Sequence, residues 1–145
     1  MAHIRKLIRD NIVTTLTGLT TTGTKVYRSR LYALAESKLP CLAIYTNTEA
    51  TEYLTMREPR TQQRALDVSV EAYVKATANY DNTIDDICSE VEQALYTDTT
   101  RGGYAKDTQV TGVEIEMSID GDQPVALATI TVNVIYNTVE GNPEG

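Results

Sequence analysis

Leu66-Asp67-Val68-Ser69-Val70-Glu71-Ala72-Tyr73-Val74-Lys75 decides how the rest of the chain reads. Leu66, Val68, Val70, Ala72 and Val74 alternate with Asp67, Ser69, Glu71, Tyr73 and Lys75, the period-two signature of a β-strand with one buried face. Just upstream, Leu39-Pro40-Cys41-Leu42-Ala43-Ile44-Tyr45 is a nearly continuous apolar run of strand length. Pro40 stands among its first residues, where a missing amide donor is tolerated, so a second, buried strand is expected there. Residues 46–55 join the two and are rich in Thr and Tyr with interspersed Glu. They can extend but are polar on both faces, which predicts a hairpin arm reaching past the core. Arg57, Glu58, Pro59 and Arg60 mark its exposed tip, because proline breaks a ladder and the charges resist burial.

Working outward, Ile4, Leu7, Ile8, Ile12 and Leu16 recur at helical spacing and Gly18 follows where helices commonly stop, so a first helix is expected over 3–16. A turn at 20–24 and a short β segment at 25–28 come next, then a loop through Ala35, Glu36 and Ser37. Beyond the central strand, Asn79, Asp81, Asn82 and Thr83 offer capping oxygens to a second helix whose apolar stripe is Ile84, Ile87, Cys88, Val91 and Leu95. Asp85, Asp86 and Glu90 sit toward its first turns, where the helix dipole favours negative charge. Residues 97–107, containing Arg101, Gly102 and Gly103, read as a mobile loop. Val113, Ile115 and Met117 then alternate with Glu114 and Glu116, and Asp120-Gly121-Asp122 supplies hairpin-turn chemistry into a last strand over 125–136. The elements predict an α+β fold: a mixed, mostly antiparallel sheet carrying two main helices, with a protruding hairpin arm. One domain is expected over 1–137 and a flexible acidic tail over 138–145.

Composition narrows the function. A chain of 145 residues with 41% hydrophobic and 23% charged residues is expected to fold around one core. Its net charge of -7, with Arg and Lys scattered, argues against phosphate-neutralising binding of nucleic acid. Arg5, Lys6 and Arg9 form a local basic run that reads as the solvated face of the first helix. No apolar run reaches the ~20 residues of a membrane span, and a signal-peptide pattern is missing, so a cytoplasmic product is expected. Cys41 and Cys88 lie far apart inside apolar segments and fit free thiols in a reducing compartment. Phe and Trp are absent and nine Tyr supply every ring, which favours half-buried or interfacial rings with partnered hydroxyls.

The catalytic inventory is thin. One histidine, His3, sits at the expected frayed start of the first helix, too loosely placed for acid/base work. Nucleophile elbows, phosphate-cradling glycine loops and zinc-spaced cysteines are missing from the sequence. Carboxylates alone are in surplus. Asp120 and Asp122 suit a hairpin turn better than a magnesium or calcium site, and Glu114 and Glu116 suit a solvated sheet face or a subunit contact. The expectation is a protein without enzymatic activity, cofactor or metal.

Taken in order, HIRKLIRDNIVTTLTGL, KVY, LPCLAIYT, RALDVSVEAYVKA, NTIDDICSEVEQAL and GVEIEMSIDGDQPVALATITVNVIY resemble the tail-terminator family of long-tailed bacteriophages. The resemblance covers about residues 4–136 and lies in the order and character of the segments. It implies a mixed α/β fold and a homohexameric ring seated on the last ring of the tail tube protein. It also implies arrest of tube growth, a docking surface for a head-completion or connector protein, and a place in the neck of the virion after assembly in the host cytoplasm. Another neck or head–tail joining component is the alternative. The family has no catalytic residues to carry over. Candidate contacts with neighbouring subunits or the tube therefore rest on the residues themselves: Tyr53, Arg57, Glu58 and Arg60 in the arm, Arg101 beside the glycines, and Glu114 and Glu116. The arginines either pair with acidic neighbours or are simply solvated.

Overall fold

A computed structural model describes residues 3–23, 26–27, 40–75, 80–120 and 123–142. The loop expected around 35–37 lies outside these residues, as do Asn79, Gly121, Asp122 and the last three residues of the expected tail. The elements run α1 (Ile4–Leu16), β1 (Val26–Tyr27), β2 (Cys41–Tyr53), β3 (Thr61–Lys75), α2 (Tyr80–Tyr96), β4 (Asp107–Asp120) and β5 (Gln123–Val139). The five strands form one sheet in the order β1-β2-β3-β5-β4. β1 joins β2 in parallel and every other pairing is antiparallel, which is the mixed α+β architecture read from the sequence.

The alternating stretch lies at the centre of the sheet. Leu66, Val68, Val70, Ala72 and Val74 form one buried row, matched by Leu42 and Ile44 on β2 and by Ala126, Ala128, Ile130, Val132 and Val134 on β5. Against this face pack Ile4, Ile8, Ile12, Val13 and Leu16 of α1 and Ile84, Ile87, Val91 and Leu95 of α2. The helical spacing of these residues places them in one stripe per helix, and hydrophobic burial drives both stripes onto the sheet. α1 stops where Gly18 takes φ +97°, a conformation that costs a residue with a Cβ.

The structure departs from the sequence reading in three places along the sheet. The other face of β3 is not solvated: Ser69, Glu71 and Tyr73 are buried. Cys41, Ala43 and Tyr73 make a second, small cluster there, with Tyr27 and Leu127 packed against it. A buried carboxylate persists because Tyr45 and Tyr73 both donate their hydroxyls to Glu71. β5 continues to Val139, and residues 138–142, expected in a loose tail, are held in place. Thr138 is buried, the Glu140 amide donates to the Arg60 carbonyl at 2.8 Å, and the Asn142 amide donates to the Val139 carbonyl at 2.9 Å. Finally, the apolar alternation at Val113 and Ile115 does not yield a buried row, since they are 41% and 53% exposed.

The arm is three-stranded. β3 pairs with β5 as far as Thr61↔Val139 and with β2 as far as Gln62↔Tyr53, whereas β4 joins only from Asp107↔Ile135. A β-bulge between Thr46 and Thr48 inserts Asn47 where the arm leaves the core. Bulges shift which residues face each side of a sheet. Here the shift sets Glu49 opposite Leu66, on the helix-bearing face, where strict alternation would have put Thr48.

Candidate functional site

At the root of the arm, the bulge delivers Glu49 into a polar network on the helix-bearing face. Its carboxylate accepts from Arg5 Nη1 at 3.0 Å, from Arg64 Nη1 at 3.3 Å and from the Tyr136 hydroxyl. Arg64 also donates from Nε to Thr138 Oγ1 and from Nη2 to Gln62 Oε1, both at 3.1 Å. Thr138 in turn donates to Gln62. β2, β3, β5 and the start of α1 are thereby tied at one point. His3 belongs to it and is not frayed: its Nδ1 accepts the Arg5 amide at 3.0 Å and caps α1. With Nδ1 accepting, the ring proton sits on Nε2, so the 3.4 Å approach of Arg64 Nη1 is a contact between two donors. The ring is used as a cap.

Burial, followed by the hydrogen bond to Glu49 and the charge of Glu49, pushes the Tyr136 phenol well above its ordinary value. A raised folded-state value means that the fold favours the neutral phenol. That contribution is whole below the unfolded value of about 10 and is lost as pH climbs past it. Tyr136→Phe is therefore expected to be less stable at neutral pH but to show a shallower loss above about pH 10, which urea titrations at stepped alkaline pH would measure. Equal alkaline slopes in the two proteins would contradict this assignment.

A cleft of about 290 Å³ adjoins the network, lined by Arg5, Arg9, Thr46, Asn47, Thr48, Glu49 and Leu66. It holds guanidinium and hydroxyl groups with one carboxylate, and no pair of groups suited to proton transfer on a bound substrate. Burial, then the charges of Glu92 and Asp85, pushes the Cys88 thiol up, so it is held as the unreactive thiol. Among the described residues, no cluster of three His, Cys, Asp or Glu side chains is placed to hold a metal ion, and no helix is long and apolar enough to cross a membrane. The pairing of β4 with β5 runs as far as Asp120 opposite Gln123.

The sequence-predicted contact residues separate into three places. Tyr53, Arg57, Glu58 and Arg60 gather at the arm tip. The Arg60 guanidinium lies 4.9 Å from the Tyr53 ring centroid and 3.1 Å from Glu140, with Glu58 at 4.0 Å. Around them Leu54, Met56 and Val139 are exposed, Met56 almost completely. Glu114 and Glu116 stand exposed on the edge strand β4. Arg101 joins neither group and is fully buried, a correction to its expected surface position. Its Nη2 donates to the Leu95 carbonyl at 2.6 Å and to the Asp98 carbonyl, closing the end of α2. Nor is its loop without restraint. The Asp98 carboxylate accepts from the Thr100 hydroxyl and from the amides of Thr100 and Gly102, and these bonds hold that acid below the usual carboxylate range.

No family model matches the chain, and no curated protein matches it. Among solved structures, a chain from the virion of a native gene transfer agent particle aligns over 92% of this chain and 92% of its own, at 10% identity and a TM-score of 0.38. A likeness that weak assigns neither a fold nor a role.

Sequence reasoning missed the network at the arm root. Glu49 and Arg64 are ordinary charges in polar strand segments, and only the bulge and the pairing with β5 bring them to Tyr136 and His3. Leu54 and Met56 were legible as apolar residues inside a polar tip. Their meaning depends on finding them uncovered.

Proposed function

We propose that this chain is a structural virion assembly protein of the tail-terminator type. In this reading it forms a homohexameric ring that caps the phage tail tube, stops its polymerisation and presents the docking surface for a head-completion or connector protein. The observation that supports it best is the arm, a three-stranded projection fixed at its root by Glu49 and Arg64 and ending in exposed Tyr53, Leu54, Met56 and Val139. A strand-paired projection with an exposed apolar end is suited to contact with a neighbouring subunit or tube. The order of segments, which resembles that family, points the same way. The side chains around the cleft and network serve as ion pairs and caps, consistent with work done by shape complementarity.

Light scattering and negative-stain imaging of the purified protein, alone and mixed with tail tubes, test the reading. A ring with a central hole, or density on one end of the tubes, is the expected result. A strict monomer indifferent to tubes would remove it. Particles assembled without the protein should carry overlong tails, whereas detached tails of normal length would transfer the role to head–tail joining.

A further inference from the structure

The arm tip and the edge strand β4 are complementary. At the tip, Leu54 and Met56 are exposed two residues apart, and Arg57 follows them, also exposed. On β4, Val113 and Ile115 are exposed two residues apart and are interleaved with exposed Glu114 and Glu116. Val113 pairs with Ile130 and so lies on the helix-bearing face, while Glu114 pairs with Thr129 and lies on the other. A segment approaching this edge meets apolar groups on one side and carboxylates on the other. Among the described residues, Arg57 has no ion-pair partner, nor have Glu114 and Glu116 on β4, although Arg60, near Arg57 in the tip, is satisfied by Glu140.

The two surfaces cannot meet within one molecule. The tip adjoins Thr61, and the exposed part of β4 lies across β5 from Glu71. The ten residues of β3 between those points span roughly 33 Å at a strand's rise. Pairing of β4 with another β4 is opposed because it would bring Glu114 and Glu116 against their own kind, and like charges placed opposite each other destabilise a sheet. A chain with net charge -7 also repels its copies unless a contact sets positive against negative. The arm of another copy meets these requirements.

We infer that the arm tip of one copy docks edge-on against β4 of the next, with Leu54 and Met56 on Val113 and Ile115, and Arg57 beside Glu114 and Glu116. The occupant is a second copy of this chain, and the contact is head-to-tail, one tip and one edge per molecule, the kind that closes into a ring when its rotation allows. This inference rests on the assembly role proposed above and supplies its subunit interface.

The test uses the full-length protein. Arg57→Glu is expected to weaken association at least tenfold by sedimentation at moderate salt, and adding Glu114→Arg with Glu116→Arg is expected to restore it. In a Cys88→Ser background, mixing Met56→Cys protein with Ile115→Cys protein should give an oxidised cross-linked dimer that neither forms alone. Because both substitutions lie at exposed positions, this cross-link also guards against a misfolded charge variant. If the wild type assembles yet Arg57→Glu assembles equally well and the cysteines do not cross-link, the interface is wrong and the ring reading stands. If the wild type stays monomeric at every concentration and with tail tubes, both are wrong.

Discussion

Glu49→Ala is expected to lower the stability of the fold by about 3–5 kcal/mol, the usual cost of removing one partner from a buried ion pair. The size follows from what is left behind. Arg64 has a side chain only 15% exposed, and without Glu49 its charge would rest on Thr138 and Gln62, neither of which is an anion. The Tyr136 hydroxyl, fully buried, would lose its acceptor. Arg5 contributes less, because at 41% exposure its guanidinium can turn to water. Glu49→Gln keeps the volume and one acceptor oxygen, and about half the loss is expected from it. Urea titrations read both, and an alanine variant within about 1 kcal/mol of the parent would mean that the network is solvated and weak. The consequence reaches beyond stability. Glu49 ties the arm to the core just past the bulge, so a loosened network frees the arm, and an arm without a fixed direction cannot present its tip to a neighbour.

What the sequence made legible and what it hid differ in physical kind. Alternation over 66–75 and helical spacing in 4–16 and 84–95 are local patterns that directly report burial against one core, and the sheet and both helices stand where those patterns put them. The bulge at Asn47 was invisible because an inserted strand residue needs no particular composition, yet it decides which way Glu49 points. Glu71 read as solvent-facing for a related reason. Its burial depends on Tyr45, 26 positions away, being carried alongside by strand pairing, and on Tyr73, two residues further along β3 on the same face. His3 misled because capping is usually read from Ser, Thr, Asp or Asn, and an imidazole nitrogen can accept an amide as well. Over 113–116 the apolar alternation marks a strand but does not report burial. Val113 and Ile115 share a face with the core, and the edge position of β4 leaves them uncovered.

Arg101 gives the second large effect, and here two opposing costs must be weighed. The side chain is fully buried, and truncation in Arg101→Ala removes its aliphatic stem from the interior and leaves the Leu95 and Asp98 carbonyls without their donor. Against this, burial lowers the tendency of the guanidinium to hold its proton, an effect the charge of Asp98 partly offsets. Among the described residues the Nε and Nη1 atoms have no hydrogen-bond partner, so the folded state already carries a desolvation penalty that alanine would relieve. Lost packing and lost carbonyl partners outweigh that relief, and Arg101→Ala is expected to cost about 2–4 kcal/mol. Arg101→Met keeps most of the volume while deleting the buried charge and its unpaired donors. Replacing a buried ion by an apolar side chain of similar size is often neutral or favourable, so a change under about 1 kcal/mol is expected. Denaturant midpoints for the two variants separate the contributions. If methionine costs as much as alanine, the bonds to the end of α2 outweigh packing. If alanine costs nothing, the side chain is not enclosed, and Arg101 returns to the surface as a charge free to meet a neighbour.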